Sequence, residues 1–221
     1  MSEKFQVAHL DELTPQEDDA EGMRWYRLRR DFDIRALGVN AYGADAGKRV
    51  IEEHDELGTA AGKHEELYVV LRGSATFKLG GDEHTVGVGE TVYVRDPAIR
   101  RTAIAEEDGT IILVTGGTPG VAYSVSPWEA AGDAYPHWRK GDYGKAMEIL
   151  RAVADEHPGA GIVLYNLACV EALAGEPEPA FEHLGRAIAL EERFREFART
   201  DEDFASIRNS SEFRDLVEAA A

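Results

Sequence analysis

The sequence predicts two domains of different class, an all-β barrel or sandwich followed by an all-α domain of paired helices. Three observations carry this. Between residues 23 and 122, short apolar runs alternate with glycine- and proline-bearing breaks, as in domains built from many short strands. From Ser126-Pro127-Trp128 onward the texture becomes helical. Within this second half Gly141 and Gly175, Ala146 and Ala180, and Leu150 and Leu184 form three pairs, each 34 residues apart.

The strand-like runs are 24–28, 35–42, 48–51, 67–71, 75–79, 91–94, 101–105 and 110–115. Gly43, Gly47, Gly58, Gly62, Gly73, Gly80-Gly81, Gly87, Gly89, Asp96-Pro97 and Asp108-Gly109 separate them. Residues 80–84 read as a turn with His84 at the surface. Ahead of the strands, residues 1–22 hold seven acidic side chains, one lysine and Pro15. They read as a solvated acidic arm with a short helix near 10–13. The division is therefore 1–22 arm, 23–122 β-domain and 123–221 helical domain.

In the helical half Asp142 is placed to cap a helix over 143–156 that Pro158 ends, and Glu176-Pro177 to open the next. Residues 128–140 are expected to form the first helix of the first pair, although Ala130 and Asp133 hold positions where large apolar residues belong. A 34-residue period with small residues at fixed places resembles the tetratricopeptide repeat. The resemblance implies a concave face for a protein partner, with Tyr165, Asn166, Cys169 and Ala172 as lining residues. The apolar positions after Leu190, from Phe194 to Val217, suit closing helices.

Whole-chain features narrow the function. At 43% hydrophobic the chain has the material for a core. The net charge of −18 repels phosphates and anionic lipid, so nucleic acid and membrane are not expected partners. That charge also argues against RNA contact by Arg24, Arg27, Arg29 and Arg30, interleaved with Trp25 and Tyr26. Cys169 is alone, so no disulfide forms within the chain. No signal-type N-terminus and no long apolar run is found, and a soluble cytoplasmic protein is expected. There is no phosphate loop, dinucleotide fingerprint or nucleophile elbow.

Two segments of the β-domain carry a further resemblance. Glu66-Leu67-Tyr68-Val69-Val70-Leu71-Arg72-Gly73 is similar to the first motif of the cupin family, and Gly87-Val88-Gly89-Glu90-Thr91-Val92-Tyr93-Val94 with Pro97 to the second. The resemblance covers about residues 30–118 and implies a double-stranded β-helix barrel with its site inside. It also implies a divalent metal held by two histidines and the glutamate of the first motif and one histidine of the second, and dimerisation through edge strands. The sequence departs from that pattern. The first two histidines would fall within Thr59-Ala60-Ala61-Gly62, and the last near Arg100, Arg101 or Thr102. Arginine has no lone pair with which to ligate.

These departures set the expectations for function. Strand alternation places His64, Glu66 and Tyr68 on one face. An arginine, Arg100 or Arg101, then takes the place of the ion that neutralises Glu66, because an unpartnered buried carboxylate costs several kcal/mol. The leading reading is a metal-free module, without cofactor, that binds or senses a small anionic molecule at His64, Glu66, Tyr68 and Arg100 or Arg101, joined to a protein-interaction repeat. The rivals are an acid–base isomerase or lyase, a metal-dependent oxygenase, and a structural scaffold. A residual metal site would use His54, His64 and Glu66, although His54 lies in the charged run Glu52-Glu53-His54-Asp55-Glu56, which reads as solvated.

Overall fold

The computed structural model describes residues 6–18, 22–58 and 61–218. The chain divides into two compact units, residues 1–57 with 62–124 and residues 58–61 with 125–221.

The first unit contains β1 (Gln16–Asp18), β2 (Met23–Tyr26), the short helix α1 (Leu28–Asp31), β3 (Gly38–Ala44), β4 (Arg49–His54), β5 (Glu65–Arg72), β6 (Ser74–Leu79), β7 (Asp82–Gly87), β8 (Thr91–Val94), β9 (Arg101–Ala105) and β10 (Thr110–Gly117). They form two antiparallel sheets, ordered β1-β2-β3-β10-β5-β8 and β4-β9-β6-β7. Leaving aside β1 and β2, this four-and-four order is that of a jelly roll, the double-stranded β-helix. Alternation sends one set of side chains inward, and Tyr68, Val70, Phe77, Val92, Val94, Ala103, Ala105, Ile112 and Val114 fill the space between the sheets. Gly73 joins β5 to β6 at φ +69°, and a Cβ there would fall 2.4 Å from the Thr110 hydroxyl. Both its backbone angle and its surroundings require glycine.

Two features of this unit differ from the sequence reading. The described part of the acidic arm keeps most of its side chains exposed and has its short helix at Leu10–Glu12, but it is anchored to the sheet rather than free. Leu10 and Leu13 lie against Tyr26, Ala41 and Ile111, β1 pairs with β2, and Asp11 accepts two bonds from Arg72, at 3.0 and 2.9 Å. Residues 1–5 and 19–21 lie outside the described residues. The 80–84 turn shrinks to Gly80-Gly81, both at positive φ, and Asp82–Gly87 continues as an edge strand. Its first four side chains are exposed, so no apolar alternation marks it, and its charges suit an unpaired edge.

The second unit is helical, with α2 (Pro127–Ala131), α3 (Tyr135–Arg139), α4 (Tyr143–Glu156), α5 (Gly161–Ala174), α6 (Pro177–Leu190), α7 (Arg193–Thr200) and α8 (Ser211–Glu218). Helix α5 is apolar on nearly every side and lies between α4 and α6. Its one fully buried carboxylate, Glu171, accepts bonds from Arg151 of α4 at 2.9 Å and His183 of α6 at 2.7 Å, which ties the three helices together. The three 34-residue pairs occupy matching places. Gly141 and Gly175 turn left-handed at φ +74° and +78° before α4 and α6, and Ala146, Ala180, Leu150 and Leu184 are all fully buried.

The expected single helix over 128–140 is instead two short ones. Pro136 has no N–H to bond back four residues and opens α3, while Gly132 closes α2. The expected partner groove is also filled by the chain itself. Tyr165, Asn166, Cys169 and Ala172 are all at least nine-tenths buried. The Tyr165 ring stacks on Phe194 at 4.9 Å and its hydroxyl donates to Asp201 at 2.8 Å. Asn166 donates to the Tyr135 hydroxyl, Cys169 lies 3.8 Å from Asp201, and the Ala172 carbonyl accepts a bond from Ser206. The apolar positions after Leu190 fold back onto α5 and cover that face.

Burial and the adjacent Asp201 carboxylate lift Asp203 to about 6. Its folded value lies above the unfolded one, so its contribution is full below about pH 4 and is lost as pH rises through 6. Asp203→Asn should therefore stabilise the unit at pH 7.5, by on the order of 1–2 kcal/mol, and leave it unchanged at pH 4. Melting curves at the two pH values measure this. Equal shifts at both would show that titration of Asp203 is not the cause.

Candidate functional site

The inward face of the jelly roll turns polar at one end. On β5 the run Glu66, Tyr68, Val70 points between the sheets, and on β9 the run Arg101, Ala103, Ala105 does the same from the opposite sheet. Tyr68 and Arg101 are essentially sealed, at 1% and 0% exposed. Glu66 Oε2 accepts Nε of Arg101 at 3.0 Å, Nη2 at 2.7 Å and the Tyr68 hydroxyl at 2.5 Å. The rest of the guanidinium is also engaged. Nη1 donates to the Ile99 carbonyl at 2.8 Å and points at that of Pro97 at 3.4 Å. Arg101 thus clamps the two sheets together around one carboxylate. Arg100 takes no part, since it bonds Glu53 at 2.7 Å on the surface.

Three further side chains close around this lock. His54 ends β4 as the cross-strand partner of Arg101, and its Nε2 lies 3.6 Å from Glu66 Oε2 and 3.9 Å from Glu56 Oε1. Glu56 is buried in the loop after β4. Its backbone N–H donates to the Pro97 carbonyl, and its Oε2 accepts the Gly62 N–H at 3.1 Å. His64 Nδ1 is 3.8 Å from Glu56 Oε2, and Nη2 of Arg101 is 3.7 Å from Glu56 Oε1. Glu56 was hidden in the sequence by the run Glu52-Glu53-His54-Asp55-Glu56. The signal was a spacing of two, which continues the inward face of β4 from His54 to Glu56.

The environments separate the two carboxylates. Burial alone would raise Glu66, but the nearby His54 imidazole, the charge of Arg101 and the bond from Tyr68 overcome it and hold Glu66 at about 2. Glu56 moves the other way, raised first by burial and then by the neighbouring Glu66 charge. Burial disfavours a charged His54, yet its contacts with Glu66 and the Glu52 carbonyl raise its value overall. Burial, followed by the Glu66 charge, raises Tyr68 well above the usual phenol. Glu66 is therefore held as the anion, whereas burial pushes Glu56 toward its neutral form.

The donor set does not fit the metal that the motif resemblance implies. Thr59 and Ala60 lie outside the described residues, and neither they nor Ala61 and Gly62 carry a ligand atom suited to it. A Cβ on Gly62 would fall 1.8 Å from Nε2 of His64, so this imidazole fills the space of a side chain at 62. His54, Glu56 and Glu66 each offer one atom within 4.8 Å of the others. His64 meets this group only through Glu56, so the grouping of His54, His64 and Glu66 is not the one the fold assembles. The Glu66 oxygen that faces the cluster is already bonded to a guanidinium.

No family model matches the chain, and no curated protein sequence is significantly similar to it. Solved structures, one of them a Cupin 2 conserved barrel domain protein, do resemble it. A putative sugar phosphate isomerase from Acidithiobacillus ferrooxidans is 20% identical over 43% of this chain and 59% of its own, with a TM-score of 0.37. KdgF from Halomonas sp. is 16% identical over 49% of this chain and 91% of its own, with a TM-score of 0.38. A Cupin 2 conserved barrel domain protein from Salinispora arenicola is 15% identical over 53% of this chain and 92% of its own, with a TM-score of 0.42. The jelly-roll assignment rests on strand order and register, independently of these similarities. Among the described residues, no helix is long and apolar enough to cross a membrane.

Proposed function

We propose that the jelly-roll unit is a metal-independent, cupin-like module that takes up one small polar molecule at His54, Glu56 and His64. The carrying observation is the division of labour inside the barrel. Glu66, Tyr68 and Arg101 satisfy one another at 2.5–3.0 Å, whereas His54 and His64 keep partial exposure and meet Glu56 only at 3.8–3.9 Å. Contacts of that length leave hydrogen-bonding capacity for a guest. Arg101, the residue the sequence suggested as an anion handle, has no free face to offer, because Glu66, Ile99 and Pro97 surround it. The helical unit is read as a short repeat of the tetratricopeptide type, which the matched roles of its 34-residue pairs support. Its α5 face is covered by the chain's own C-terminal segment, so no partner surface is proposed there.

Thermal-shift and calorimetric titration with neutral polyols, amines and carboxylates test this reading. At least one class should stabilise the wild-type chain and lose its effect in both His54→Ala and Glu56→Gln. If none of the three classes binds, or binding ignores both substitutions, the reading fails. The opposite shifts of Glu56 and Glu66, both beside His54, also favour a second reading, general acid–base catalysis on the bound molecule. In that case Glu56→Gln keeps binding and abolishes turnover.

A further inference from the structure

The charges around the site already balance. His54 holds Nδ1 2.8 Å from the Glu52 carbonyl and turns Nε2 to Glu66 and Glu56, at 3.6 and 3.9 Å. Both ring nitrogens thus face acceptors, as in an imidazolium. Arg101 and His54 then match Glu66 and Glu56. The sum is the same with that proton on Glu56, because Arg101 then faces Glu66 alone. An ion brought into this half-buried place would have no counter-charge.

What the site lacks is a hydrogen-bond donor at one acceptor. Among the described residues, the Asn40 side-chain carbonyl oxygen is buried and accepts no bond. Asn40 opposes Val114, which opposes Tyr68, so it stands on the inward face. The next inward row is Gly38, Gly116 and Glu66. The Tyr123 ring covers Gly38, where a Cβ would come 3.0 Å from it, and its centre is 6.3 Å from that of the His64 ring. Asn40, Tyr123 and His64 therefore border the end of the barrel at which His54 and Glu56 meet.

We infer that the molecule taken up is a small uncharged polyol, which donates one hydroxyl to Asn40, sets another between Glu56 and His64, and lays its carbon face on the Tyr123 ring. This rests on the proposed function and names its ligand class. A hydroxyl both donates and accepts, which is what a carboxylate beside an imidazole asks of a neutral guest. An aromatic wall with a few fixed polar groups is the common lining of a small-molecule site. Asn40 sets the specificity, because a buried acceptor left unpaired counts against any guest without a donor there.

The test is titration of the full chain with erythritol, sodium erythronate and serinol hydrochloride at equal ionic strength, followed by amide chemical shifts, which also register weak binding. Erythritol should bind at one per chain and at least tenfold tighter than the carboxylate or the ammonium ion. Asn40→Leu should weaken it at least tenfold, while the guest-free variant melts no lower than wild type, since the change removes a buried unpaired acceptor. Unchanged erythritol affinity in Asn40→Leu would overturn the inference. So would either ion binding as tightly as erythritol in a manner that depends on Glu56, although the proposed function would then stand. Silence from all three probes would remove the binding reading itself and this inference with it. The wild-type ranking decides among these outcomes even if the variant does not fold.

Discussion

Arg101→Met should lower the stability of the jelly roll by about 3–5 kcal/mol, the cost typical of removing one partner from a buried ion pair. The side chain is 0% exposed and supplies two of the bonds that Glu66 accepts. Without it the carboxylate keeps only Tyr68 and the more distant His54, and its value climbs from about 2 toward the range of a desolvated acid. The loss should therefore depend on pH. In the wild type the Glu66 contribution is present above its unfolded value near 4.5 and fades as pH falls toward 2. In the variant the carboxyl is protonated at low pH at little cost, so the two proteins converge in acid and differ most at neutrality. Arg101→Met combined with Glu66→Met should recover much of the loss, because an apolar pair leaves no buried charge. Arg101→Lys should not, since one ammonium cannot reach Glu66, Ile99 and Pro97 with a planar fork's geometry. Denaturant titration with hydrogen exchange of β5 and β9 measures all three. A loss below about 1 kcal/mol that is flat with pH would mean the pair does not hold the sheets together.

The same residues show how far the sequence alone reaches. The jelly roll was legible because its strands are short, apolar and cut by glycine, and because Glu66 and Gly73 keep their motif spacing. Gly73 has a local cause, its positive φ and the Thr110 hydroxyl, that any sequence with this turn must respect. Strand β7 was not legible, since an edge with exposed polar side chains has no alternation to read. Pairing Glu66 with an arginine followed from the cost of a lone buried carboxylate. Choosing Arg101 over Arg100 needed the register of β9, because adjacent residues point to opposite faces. Glu56 was missed for a related reason. A run of charged residues looks solvated until the fold turns alternate members inward. The groove residues of α5 failed differently. Their spacing fits a concave face, but nothing local says that Phe194 and Phe204 return to cover it.

Leu150→Ala and Leu184→Ala should each cost about 2–5 kcal/mol, and nearly the same amount as each other. Both leucines are fully buried, each follows a buried alanine by four residues, and each lies on a helix that packs on α5. If the 34-residue period is a structural repeat, the two sites have the same surroundings by construction and leave similar cavities. Burial alone would not require equality, because the cost of a cavity varies with how far its walls relax. Leu190→Ala is the control, since Leu190 is 41% exposed and its truncation should stay within about 0.5 kcal/mol of wild type. Combining the two buried changes asks whether α4 and α6 unfold as one body with α5. A loss near the sum of the singles, in one transition, fits a single cooperative core, whereas a separate early transition for one helix would show that the repeat is not a unit. Should one leucine cost under about 0.5 kcal/mol while the other costs several, the matched spacing would be coincidence rather than a repeat.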